Sequence, residues 1–155
     1  MTQHGKVHQK GTFALADLLE NVRKNPRFEE TGAITLFIGV ARGTNQKGEK
    51  VEKLRLEAYE EKANETLENI CEELEKKPGI TDVQIHHLIG EFNVGEELVY
   101  VSVAGSHRTE IFPILREAVE KYKHEAAVFK KERVVDAEGK TTEAWVSEQQ
   151  HDSQS

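Results

Sequence analysis

Two short apolar runs constrain this chain most: Ala33-Ile-Thr-Leu-Phe-Ile-Gly-Val-Ala41 and Leu98-Val-Tyr-Val-Ser-Val-Ala104. Both are rich in β-branched and aromatic residues, and both are short, which marks buried strands rather than helices. Neither approaches the ~20 apolar residues that a bilayer-spanning helix needs. A strand that is apolar on both faces requires a covering layer on each side of its sheet, so helices must be found elsewhere in the chain.

Three stretches supply them. Phe13, Leu15, Leu18, Leu19 and Val22 recur at helical spacing, and Asn25-Pro26 ends that helix. Residues 61–77 place Ala63, Leu67, Ile70, Cys71 and Leu74 on one stripe before Pro78-Gly79. A third helix is predicted from about Thr109 to about His124, with Ile111, Ile114 or Leu115, Ala118, Val119 and Tyr122 facing inward. Between them, Leu54, Leu56 and Ala58 alternate with Arg55 and Glu57, and Val83, Ile85, His87 and Ile89 alternate likewise. Asn93-Val-Gly-Glu96 turns the chain back into the second apolar run. A closing hairpin, residues 127–135 and 142–146, folds about Asp136-Ala-Glu-Gly139. Hairpins demand antiparallel neighbours. The predicted fold is therefore α+β, with a mixed or antiparallel sheet and about three helices packed on it. One domain is expected over residues 1–148, followed by a polar tail at 149–155.

The net charge of −7 argues against a general nucleic-acid surface. It also makes any local cluster of cations informative, because the chain as a whole opposes it. The one cysteine, Cys71, permits no internal disulfide and no thiolate metal cage, and its apolar stripe marks it as core. His86 and His87 point to opposite strand faces and cannot chelate one ion. No metal site is expected, and no glycine-rich phosphate loop or dinucleotide fingerprint is present. The polar start, Met1-Thr-Gln-His-Gly-Lys6, lacks the apolar segment of a secretory signal. A cytoplasmic protein without membrane contact is expected.

Three segments carry the chemistry-bearing cations. In Ala104-Gly-Ser-His-Arg-Thr-Glu110 a strand ends at a helix start. Ser106 is a suitable N-cap, and His107 and Arg108 add donors beside the free N–H groups, as an anion grip requires. In Lys123-His-Glu-Ala-Ala-Val-Phe-Lys-Lys-Glu132, strand alternation sends Lys130 and Lys131 to opposite faces. Lys123 and Lys130 can then converge while Lys131 points away. In Gly39-Val-Ala-Arg-Gly-Thr-Asn45, a buried strand delivers Arg42 into a loop, where its guanidinium can hold an oxyanion bidentately. Each segment read alone also fits an ordinary capped helix, a solvated strand end or a wet loop arginine. An acylphosphatase-like phosphate-cleaving enzyme and a non-catalytic anion sensor remain open on these residues.

Taken in order, the segments resemble the MoaE family, the large catalytic subunit of molybdopterin synthase. The matching pieces are residues 31–45, Leu56-Glu-Ala-Tyr59, His87-Leu-Ile-Gly-Glu91, Ser106-His-Arg108, Lys123 with Phe129-Lys-Lys-Glu132, and Trp145-Val146. The resemblance implies an α/β-hammerhead-like fold and an activity that installs the dithiolene sulfurs of molybdopterin on cyclic pyranopterin monophosphate. It implies a small ubiquitin-like partner that carries sulfur as a C-terminal Gly-Gly thiocarboxylate. A homodimer within a heterotetramer is expected, with no cofactor. Lys123 and Lys130 match the family's catalytic lysines, and Arg42, His107 and Arg108 its substrate-pocket residues, which puts these five in one pocket; Lys131 is also assigned to substrate binding. The chain departs from the family at Ala127 and Phe129, where Pro and Trp are usual. It departs again near Gln149, where an arginine often reaches the neighbouring subunit.

Overall fold

The computed structural model describes residues 3–146. Its elements run β1 (Gly5–Gln9), α1 (Leu15–Arg23), a short 3-10 turn (Phe28–Glu30), β2 (Ala33–Val40), β3 (Lys50–Ala58), α2 (Glu60–Glu75), β4 (Ile80–Asn93), β5 (Glu97–Gly105), α3 (Arg108–Glu125), β6 (Val128–Val135) and β7 (Thr141–Val146). The tail expected at 149–155, and the Gln149 position with it, lies outside the described residues.

The sheet has the order β2-β5-β4-β3-β6-β7, with β1 joined to β4. Every pairing is antiparallel except β1 with β4, which is parallel. The fold is thus α+β with a mixed sheet. β4 is the organising strand. It pairs with β5 over its first half, with β1 at 85–89 and with β3 at 90–93. Gly90, at φ +129°, sits where the partner changes from β1 to β3, in a backbone conformation that other residues rarely adopt.

The first ten residues of β4 are all buried, so both of its faces are covered. His86 stacks on Phe13, just before α1, while His87 meets Tyr122 of α3 edge to face. Successive side chains point to opposite faces, which places the α1 segment over one side and α3 over the other. On the α1 side the strand presents polar groups, and they bond to one another. Gln84 Nε2 donates to Asp82 Oδ1 at 3.1 Å, Gln84 Oε1 lies 2.9 Å from His86 Nε2, and His86 Nδ1 lies 2.8 Å from His8 Nε2. Because the Gln84 oxygen can only accept, His86 donates from Nε2 and accepts at Nδ1 from His8.

The core contains Leu18, Val22, Leu67, Ile70, Cys71, Leu74, Val83, Ile85, Val101, Val103, Ile111 and Ala118. Burial pushes the Cys71 thiol well above its ordinary range, with nearby carboxylates adding to the rise. That fits its reading as an inert core residue. Two expectations change. β1 was not predicted, because Gly5-Lys-Val-His-Gln9 is short and mostly polar, and only its parallel register beside β4 makes it a strand. The N-cap of α3 is His107 rather than Ser106. The Ser106 N–H is taken by Gly79 O at 2.8 Å, and its hydroxyl faces Glu30 O at 3.4 Å.

Candidate functional site

The site is built at the corner where α3 runs into β6. The helix ends at Glu125; the Ala126 N–H still bonds to Tyr122 O, and Ala126 itself is extended, so the chain turns directly into β6. β6 pairs with β3, setting Lys130 opposite Leu56 and Glu132 opposite Leu54. Directly opposed side chains share a sheet face. Leu54, Leu56, Val128, Lys130 and Glu132 therefore face one way, and all five line one cavity of about 450 Å³. Lys123, one position after Tyr122 on the helix, lines the same space, as do Phe37–Val40 of β2 and the buried His87 of β4.

Arg42 reaches the cavity on an ordered loop. Ala41 closes onto the β4–β5 turn, donating to Glu96 O and accepting from the Gly95 N–H. Arg42 Nε donates to Thr44 O at 3.0 Å. Asn45 holds the rest: its Oδ1 accepts from the N–H groups of Lys47 and Glu49, and its Nδ2 donates to Glu49 Oε1 and, at 3.1 Å, to Glu132 Oε1. An asparagine used this way replaces the backbone bonds that a loop lacks. Gly48, at φ +78°, makes the tight return.

The charged lining of the cavity is Arg42, Lys123 and Lys130 against one carboxylate, Glu132. On a chain of net charge −7 this is a concentrated positive site, suited to an anion and to negative charge that develops during reaction.

The other predicted residues lie elsewhere in the chain. His107 and Arg108 start α3, whereas Lys123 is near its end; fifteen helical positions separate Arg108 from Lys123 by roughly 22 Å. Neither lines the cavity. His107 is exposed and its Nδ1 lies 3.4 Å from Glu110 Oε1. Lys131 points away from Lys130, as alternation requires: its ammonium sits 3.5 Å from Glu143 Oε2 and over the Trp145 ring. One chain thus gathers three of the six predicted residues. Phe129 also faces away from Lys123 and Lys130. With Tyr59, which it meets edge to face, and Trp145 it lines a separate apolar depression. Asn45, Glu132, His87 and Tyr122 were not singled out from sequence as site residues. Only the position of His87 on the strand and of Tyr122 before Lys123 hinted at them.

The MoaE protein family model matches residues 8–125. The molybdopterin synthase catalytic subunit of Pyrococcus abyssi is 40% identical over 121 residues, 78% of each chain. Molybdopterin synthase catalytic subunit 1 of Aedes aegypti is 39% identical over 112 residues, 72% of each. Among solved structures, molybdopterin synthase from Staphylococcus aureus superposes with a TM-score of 0.78 at 27% identity, covering 94% of this chain and 98% of that one. A complex of subunits 1 and 2 of the molybdopterin-converting factor from Helicobacter pylori shares the fold, with a TM-score of 0.68 at 19% identity over 90% of this chain and 89% of that one. A match that spans most of the chain, with relatives covered over most of their own length, means that this chain belongs to the MoaE family of molybdopterin synthase catalytic subunits.

Proposed function

We propose that Arg42, Lys123 and Lys130 form the reaction site for sulfur transfer from a thiocarboxylated small ubiquitin-like subunit to cyclic pyranopterin monophosphate. The observation that carries this reading is the convergence of these three cations on one cavity of a strongly acidic chain. The acceptor is a cyclic phosphate and the donor a thiocarboxylate, so two anions must meet, and fixed cations offset their repulsion. Arg42 has the geometry for the phosphate. Lys123 and Lys130 supply ammonium groups where sulfur adds, to stabilise charge and to move protons. The partner brings the sulfur, so the buried Cys71 has no part in the chemistry. Among the described residues no helix is long and apolar enough to cross a membrane. Such a biosynthetic step suits the cytoplasm.

A homodimer accounts for His107 and Arg108. β2 is an edge strand with an apolar sequence, and its Leu36 and Val40 are exposed; such an edge calls for cover. His107 and Arg108 follow Gly105, which pairs with the start of β2, while Arg42 follows the end of β2. Two copies that meet antiparallel along this edge would bring the His107–Arg108 pair of one beside Arg42 of the other. His107 and Arg108 then complete the phosphate grip in the neighbour's cavity.

The test mixes the protein with the thiocarboxylated small subunit and the cyclic pterin and follows dithiolene formation. Lys123→Ala is expected to abolish product while pterin binding largely survives. Unchanged turnover would overturn the assignment.

A further inference from the structure

We propose that His4, Glu75 and Asp82 form a binding site for a divalent transition-metal ion of the Zn2+ class, which pins the N-terminal strand β1 to α2 and β4. None of the three residues lines the sulfur-transfer cavity, and the inference is independent of the proposed function.

His4 is held in place by its backbone before its side chain does anything. Its N–H and that of Gly5 donate to Glu68 Oε2 at 3.0 and 3.1 Å, and its carbonyl accepts from the Ile85 N–H at 2.9 Å. Gly5 lies so close to α2 that a Cβ there would run into the Leu67 backbone. The imidazole is thus delivered to one spot between two carboxylates. Its Nδ1 is 2.9 Å from Glu75 Oε1, and its Nε2 is 3.8 Å from Asp82 Oδ1. One ligand atom from each of the three residues lies within 4.8 Å of the others. Donors about 2.0–2.2 Å from a shared ion sit somewhat closer together than that, within reach of small side-chain adjustments.

The second observation is Asp82 itself. The residue is 1% exposed. Its Oδ1 accepts from Asn25 Nδ2 and Gln84 Nε2, while Oδ2 is buried with no hydrogen-bond partner among the described residues. A buried carboxylate oxygen without a donor is costly. The local charge has the same sense: the carboxylates of Glu75 and Asp82 flank the imidazole, and that of Glu68 holds the backbone of the same residue. One imidazole with two carboxylates, and no accessible thiolate, fits Zn2+ and its neighbours rather than Cu+. The ion takes one imidazole nitrogen, the proton it displaces leaves to solvent, and water fills the remaining position. Bound there, it links β1, α2 and β4.

The experiment uses the full chain, stripped with chelator and titrated with ZnCl2 by calorimetry and by equilibrium dialysis with metal analysis. One Zn2+ per chain is expected, with a rise in Tm and displacement of the His4 ring signals in NMR spectra. His4→Gln and Asp82→Asn should each weaken binding at least about tenfold, with folding of each variant checked by circular dichroism. If either variant does not fold, the His4 signals of the natural chain decide alone. Absence of saturable Zn2+ binding, binding retained in both folded variants, or Zn2+ uptake that moves other histidines and leaves His4 unmoved would each overturn the site.

Discussion

Asn45 Nδ2 donates to Glu132 Oε1 at 3.1 Å, tying the loop that carries Arg42 to the strand that carries Lys130. Eighty-seven positions apart in sequence, the two residues fix the spacing of two cations that line one cavity. Glu132 is 9% exposed, and Asn45 also organises its own loop through Lys47 and Glu49. Asn45→Ala removes both functions. Displacements near 1 Å at a reaction site cost up to about a hundredfold, so kcat/KM for the cyclic pterin should fall by about 10- to 100-fold. Most of the loss should come through KM, because Arg42 is the group set adrift. Steady-state kinetics on the folded variant checks this, and an unchanged KM would show that the clamp has no role in the site.

Strand alternation makes a sharper demand. Lys130 lines the cavity, while Lys131 pairs with Glu143 and covers Trp145 on the other face. Lys130→Ala should therefore cost at least about tenfold more in kcat/KM than Lys131→Ala, since only the former removes charge stabilisation at the reacting atoms. Exposed ion pairs such as Lys131–Glu143 contribute little to stability, so Lys131→Ala should leave Tm nearly unchanged. Equal losses of activity would mean that the substrate approaches from the Trp145 side.

Acid should loosen the α1 side of the sheet. Burial, aided by His8, His4 and Lys6, lowers His86 to about 3; burial, with Lys6 against the opposing pull of Asp17, lowers His8 to about 4. The unfolded chain takes up these protons near pH 6.5 and the folded chain does not. Between pH 6.5 and 4 the unfolded state thus binds more protons, and stability falls as pH falls. For His86 alone the loss down to pH 4 is on the order of 3 kcal/mol. Urea unfolding at pH 7, 5.5 and 4.5 measures the slope, and His86→Gln should flatten it. A slope unaltered by that substitution would assign the acid sensitivity to other groups.

The parts of this molecule that were legible in the sequence are those with strong local periodicity. β5 and the stripes of α2 and α3 announce themselves because each buries a continuous face. β2 was legible as a strand but not as an edge: its apolar run, expected to be buried, is only half-buried and leaves Leu36 and Val40 exposed. The parity of Lys130 and Lys131 followed from the same rule. β1 was invisible because its strand character comes from a neighbour 80 positions away, Gly5 facing Ile85. Ser106 looked like a cap, yet the backbone bond to Gly79 places the helix start one residue later. Glu132 carried no signal at all: a half-polar strand end reads as solvated until β3 and Asn45 close over it. His107 and Arg108 were grouped with the lysines, but the length of α3 keeps them apart within one chain.

That separation yields the most decisive prediction, a complementation between inactive variants. Suppose Arg108 acts in the cavity of the neighbouring copy. Lys123→Ala then disables the cavity of its own chain but still lends Arg108 outward, while Arg108→Ala keeps its lysines but lends nothing. Each homodimer should be nearly inactive. In a mixed dimer, one cavity has Lys123 from the Arg108→Ala copy and Arg108 from the Lys123→Ala copy, and is therefore whole. Random pairing makes half of the dimers mixed, so co-expressed or co-refolded chains should recover up to about a quarter of natural activity through the isologous interface. Charged substitutions at Leu36 or Val40, on the exposed β2 edge, should abolish both dimer formation and the recovery, as seen by sedimentation and by dithiolene yield. If the mixture stays as inactive as its components while mixed dimers form, Arg108 must serve its own chain, and the antiparallel β2 arrangement is wrong.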